Sequence, residues 1–210
     1  MTDLSRRFNE LLQRLGAAGD SRPLADSLLA AWTEPHRRYH DLDHLRDCLA
    51  ELDGAPAAGA DRDRVEAALW FHDAIYDPQA GDNEAQSAEW ARRALAELGI
   101  PPTVADDVAR LVRLTRHTEP APDPSGRLLC DIDLAILGRQ PQAFDAYDRG
   151  IRDEYAWVPE PDFRAARAGV LAALLARSPL YQTEHFRRRY ETAARTNLGR
   201  ALERLGHGRT

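Results

Sequence analysis

The chain has 210 residues, 43% of them hydrophobic and 30% charged, with a formal net charge of −6. This balance suits one compact domain with a sizeable core and excludes wholesale disorder. The negative charge speaks against a general binder of polymeric nucleic acid or of a membrane surface. All 28 basic residues are arginine, so no lysine is present to form a Schiff base. Two cysteines, Cys48 and Cys130, make neither a disulfide framework nor a thiolate zinc cluster, and a cytoplasmic location is the natural expectation.

Helical periodicity runs through the chain. Leu4, Phe8, Leu11, Leu12 and Leu15 form an apolar stripe ended at Gly16, in a segment that lacks the continuous apolar core of a signal peptide. Pro23 suits the first turn of a second helix. Asp41 is a candidate cap for a helix carrying Leu42, Leu45, Leu49 and Leu52, and residues 54–59 read as a loop. A helix from about Asp63 carries Val65, Ala68, Leu69 and His72. After a turn at 78–81, Asp82 is placed to cap a helix that Gly99 stops. Pro101-Pro102 opens the next helix, and residues 120–126 break the chain again. A short apolar helix over 128–137 is interrupted by Asp131 and Asp133 and closed by Gly138, and three more helices cover about 141–155, 162–177 and 183–205. The longest apolar run, Ala168 to Ala176, is too short to span a bilayer and reads as a buried helix. No segment alternates as a strand does, and there is no internal repeat. The expectation is an all-α fold: a single compact helical bundle of about nine or ten helices over residues 1–210.

The chemistry concentrates at His72-Asp73, where an apolar helix ends in an imidazole and a carboxylate side by side. Burying a carboxylate is costly unless it is paired or bound to a metal, so the dyad calls for partners. Candidates are His40 and His44, four residues apart and hence on one face if helical; Asp77; Arg116-His117; and Asp131 with Asp133 inside an apolar segment. Two histidines and two aspartates make a mixed nitrogen–oxygen site for one divalent ion (Mn, Fe, Co, Ni, Mg or Zn), with open positions for water. His185 and His207 are assigned no role. Tyr147, Arg152, Tyr155 and Arg167, on the later helices, have the aromatic and cationic character to wall a pocket for a base and a phosphate, but are read as packing residues.

The ordered series His…His-Asp…Asp resembles the HD superfamily of metal-dependent phosphohydrolases. The likeness is sharper to the subgroup described as predicted metal-dependent HD phosphohydrolases. It is carried by Tyr39-His40 through His44, by Trp70-Phe71-His72-Asp73-Ala74-Ile75-Tyr76-Asp77, by Asp82-Asn83-Glu84, by Asp131-Ile132-Asp133-Leu134, and by the later stretches 151–155 and 194–198. It covers roughly residues 35–200. The resemblance implies an HD-type helical domain with His44, His72, Asp73 and Asp133 as metal ligands, Asp131 being the rival of Asp133. His40, His117 and Asp131 are the candidate extra ligands should a second ion bind. The implied reaction is hydrolysis of a nucleotide or other small phosphate ester by metal-bound hydroxide, with Asp73, Asp77 and Glu84 as candidate catalytic acids. Arg38, Arg116 and His117 are the candidate phosphate donors. Better-known relatives carry a Glu where this chain has Tyr76, and the retained Asp77 does not name a substrate. Two other readings are a non-catalytic sensor of a metal–nucleotide complex and a di-iron HD-type oxygenase. No membrane or polymeric nucleic-acid partner is expected, and a homo-oligomer is compatible with the sequence.

Overall fold

The structure is a computed structural model describing residues 2–56 and 58–206, so His207 lies outside the described residues. Among these, the chain forms ten α-helices and one 3-10 helix, with no strand. The helices group into two compact units, one ending at Cys130 and the other beginning at Asp131.

The first unit contains α1 (Asp3–Arg14), α2 (Arg22–Trp32), α3 (Leu42–Gly54), α4 (Arg62–Phe71), α5 (Asn83–Glu97) and α6 (Pro102–Leu114), and α7 (Pro124–Asp133) starts in it. At its centre is α4, which packs against α1, α3, α5 and α6. Every residue from Val65 to Phe71 is buried, as expected of a helix that is apolar nearly all round. The exception, Glu66, is held by Arg7 Nε at 2.7 Å and Arg14 at 3.4 Å. Phe8 of α1 meets the ring of Trp70 at 4.7 Å, and the Trp32 indole at the end of α2 donates to Trp70 O at 3.0 Å.

Local capping sets several helix starts. Asp41 accepts the amides of Asp43 and His44, so α3 begins where the sequence places it. The cap of α4 is Asp61, which accepts Arg64 N, two residues ahead of the Asp63 start that periodicity suggests. Asp82 precedes α5, but its carboxylate accepts the side chain of Gln86 instead of a backbone amide. Gly99, at φ +78, supplies the left-handed turn that ends α5.

The second unit holds the 3-10 helix Leu134–Gly138, then α8 (Pro141–Glu154), α9 (Glu160–Ala176) and α10 (Glu184–Gly206). Helix α10 packs on the 3-10 helix and on α9. Asn197 Nδ2 donates to Leu137 O and Arg139 O at 2.9 and 3.0 Å. Arg167 is buried, bonded to Asp148 and stacked over Tyr147, and Arg152 donates to the carbonyls of Tyr155 and Val158. The run Ala168 to Ala176 is not the buried helix expected. Leu171 and Leu174 face the core, but Gly169, Val170, Ala172, Ala173 and Ala176 are exposed, because a 3.6-residue period turns only one face inward. No helix among the described residues is long and apolar enough to cross a membrane.

Gly138 does more than close a helix. A Cβ there would overlap Tyr190 Cβ on α10 and come within 2.8 Å of the Tyr190 carbonyl oxygen. Gly138→Ala is expected to destabilise the fold by about 1–3 kcal/mol through overpacking, read as a lower urea midpoint with an unchanged slope.

Candidate metal centre

The site forms where α3 begins and α4 ends. The Asp41 cap starts α3 at Leu42, which puts His44 in the first helical turn, buried at 6% exposure. His72 is the C-cap residue of α4, and Asp73 follows as the chain turns away. The all-round burial of α4 therefore delivers His72 into the interior, with the Asp73 side chain beside it only partly buried, at 16% exposure. Trp32 packs beside the two imidazoles, with ring centroids 5.3 Å from His72 and 6.3 Å from His44.

His44 Nε2 lies 3.1 Å from His72 Nε2, and Asp73 Oδ2 lies 3.1 Å from His72 Nε2 and 3.8 Å from His44 Nε2. Two ligand atoms each about 2.1 Å from one ion lie roughly 3.0 Å apart at a right angle and roughly 3.4 Å apart at the tetrahedral angle. The two 3.1 Å separations are thus of the size that a shared ion imposes. Protonation points the same way. His72 Nδ1 lies 2.8 Å from Leu69 O, and a carbonyl only accepts, so Nδ1 carries a hydrogen and Nε2 is the nitrogen turned toward His44 and Asp73, offering a lone pair whenever the ring is neutral. A carboxylate oxygen and an imidazole lone pair facing each other at 3.1 Å repel unless a cation or a proton lies between them. The donor chemistry fits a divalent ion.

A further donor at this place, Cys48, was not singled out from the sequence. Cys48 follows His44 by one helical turn, and the ligand-capable atoms of His44, Cys48 and His72 lie within 4.8 Å of one another, all buried. This group can hold a metal ion. The Cys48 sulfur sits 3.7 Å from His44 Nε2 and 3.9 Å from Nδ1. Near-equal distances place Sγ abreast of the imidazole, off the Nε2 lone-pair axis along which Nδ1 would be much the farther atom. The His-(three residues)-Cys spacing on a helix was the available signal.

The remaining candidates are placed as follows. His40 precedes α3, so it does not share a helical face with His44; the extended Asp41 cap separates them. Its ring is stacked on Tyr76 at 4.3 Å and stands 6.0 Å from His44. His117 follows the end of α6 in a left-handed conformation, φ +54, which histidine tolerates better than most residues. Arg116 is exposed beside it. Arg38 is exposed and donates to Pro35 O and Arg37 O within its own turn. Asp77 is exposed and accepts Gln79 N, the bonding of a turn aspartate. Glu84 is half-buried in the first turn of α5.

Of the two acids in the second unit, Asp133 is half-buried at the end of α7. Asp131 is 1% exposed, and its carboxylate accepts Gln182 N, Thr183 N and Thr183 Oγ1 at 2.7–3.1 Å ahead of α10. Burial pushes its pKa up to about 6 against the lowering effect of those bonds. This bonding ties down the loop before α10. Asp131→Ala is expected to cost about 2–3 kcal/mol, measured by urea unfolding, because two backbone amides and a hydroxyl lose their acceptor.

Comparison with protein-family models, with curated proteins and with solved structures finds no match to this chain.

Proposed function

We propose that this chain is a divalent-metal-dependent phosphohydrolase acting on a nucleotide or another small phosphate ester. The observation that supports the reading best is the meeting of the buried His44 Nε2 and His72 Nε2 with the partly buried Asp73 Oδ2 at 3.1–3.8 Å. It occurs in the chain order His…His-Asp that resembles the HD phosphohydrolases. Of the two later aspartates, the resemblance points to Asp133 as the last of the series, since Asp131 is engaged with the start of α10.

Four nitrogen and oxygen ligands would fill a tetrahedral ion but would leave two positions for water and substrate on a six-coordinate one. A divalent ion, when bound, polarises a phosphoryl oxygen and makes water a stronger acid. The residues supply the rest. His72 is held in one tautomer by Leu69 O, so its Nε2 is a fixed donor. The Asp73 carboxylate orients the attacking water. Arg116, exposed after α6, is the proposed donor to the phosphate, where a guanidinium fork binds two oxygens. The burial of His44 and His72 at 6% and 1% exposure keeps bulk water from competing for the ligands.

Protein purified without chelator is expected to carry about one divalent ion per chain by elemental analysis, consistent with a single mixed site. It should release phosphate from a panel of phosphorylated metabolites supplied with Mn²⁺, Co²⁺, Ni²⁺ or Mg²⁺. Asp73→Asn should lose both ion and turnover. A protein that binds metal but hydrolyses no ester in the panel would sink the hydrolase reading. Separately, metal at a hundred times its Kd should stabilise the fold by about 2.7 kcal/mol in thermal unfolding, an effect abolished by EDTA.

A further inference from the structure

We propose that Arg37 is the positioning residue of this metal centre: its buried guanidinium locks the main chain of Asp73 to the turn that leads into His44. The inference rests on the metal-site reading above and deepens it.

The sequence offers Arg37 and Arg38 as equals, but the structure separates them. Arg38 is exposed, whereas the Arg37 side chain is fully buried, at 0% exposure. Its Nη1 donates to His40 O at 2.8 Å and to Asp73 O at 2.7 Å, and its Nη2 donates to Ala74 O at 3.2 Å. Nε and Nη2 both reach Glu34 Oε2, at 3.1 and 3.0 Å. The cation also lies over the rings of Trp32 and Tyr76, 5.5 and 5.4 Å from their centroids. One side chain thus joins the carbonyl four residues before His44 to the carbonyl of the Asp73 ligand itself. A second tie runs parallel, from His36 Nε2 to Tyr76 O at 2.8 Å.

Stability alone does not call for this arrangement. A buried guanidinium carries a desolvation penalty, and its one counter-charge here, Glu34, is 44% exposed. A well-packed apolar side chain holds two segments together as firmly. What the planar fork adds is direction: several donors at fixed angles specify where two carbonyls sit, and thereby the register of Asp73 against His44. Groups that orient a ligand in this way affect metal affinity more than they affect the fold.

The test is Co²⁺ binding by the full chain, followed by titration and by visible absorption, for wild type, Arg37→Met, Arg37→Lys and Leu12→Ala. The last truncates a fully buried residue of α1 and serves as the stability control. The expected result is Co²⁺ affinity lowered about 10–100-fold in Arg37→Met with an altered d–d spectrum. Arg37→Lys should recover part of the affinity, and Leu12→Ala should bind as wild type despite its lower Tm. Affinity in Arg37→Met equal to wild type overturns the proposal. So does a loss that scales with Tm across all variants, the control included. Should Arg37→Met not fold, Arg37→Lys is judged by the same comparison. Wild-type protein that binds no Co²⁺ removes the metal-site reading and Arg37's role together, an outcome distinct from wild type binding and Arg37→Met binding equally well.

Discussion

The burial of α4 on every side is the constraint from which the candidate site follows. A helix enclosed by α1, α3, α5 and α6 has no solvent face on which to end, so whatever stands at its C-terminus is delivered to the interior. Here those residues are His72 and Asp73. An imidazole and a carboxylate in that position are tolerable only with partners, and the partners observed are other ligand-capable groups: His44 at 3.1 Å and the Cys48 thiol one turn further along α3. Packing creates the electrostatic demand, and the group it assembles is one that could hold a metal ion to meet it.

The connection between α2 and α3 carries the second half of the arrangement. It does not fold as a helix, so His40 leaves the face of His44 and stacks instead on Tyr76. Arg37 and His36 turn back to the carbonyls of residues 73, 74 and 76, and the same short stretch therefore aims His44 and restrains Asp73. The Arg37 guanidinium, with the rings of Trp32 and Tyr76 against it and its side chain fully buried, is shielded from water, which strengthens each of its hydrogen bonds.

The all-helical architecture was legible because apolar period and punctuation agree over most of the chain: the stripe of α1, the Asp41 cap and Gly99 all lie where local rules put them. That His72-Asp73 calls for ligand-capable partners was legible in the dyad itself, but the residues alone left several candidates open, and His44 was singled out by the resemblance of the ordered series to the HD phosphohydrolases. Other features depend on contacts distant in sequence. Asp131 bonds residues more than fifty positions away, and no local pattern announces that. Arg37 and Arg38 are identical in one dimension and differ only in which points inward. Cys48 carried a signal in its spacing from His44, masked because a lone thiol is more often core than ligand. The exposure of α9 was hidden because an apolar run looks the same whether one face or all faces are covered.

The bond from His72 Nδ1 to Leu69 O has a dynamic consequence. In many metal sites the ligand histidine is oriented by a carboxylate from elsewhere in the fold; here the orienting group is the last turn of the same helix. Helix ends open and close far faster than whole domains unfold. Each opening of that turn frees the imidazole to rotate and to exchange its tautomer, so the residence time of any ion held there would be coupled to fraying at the end of α4. The tight enclosure of Trp70 and Phe71, the two residues before His72, would then slow the loss of an ion held there as well as contribute to the core.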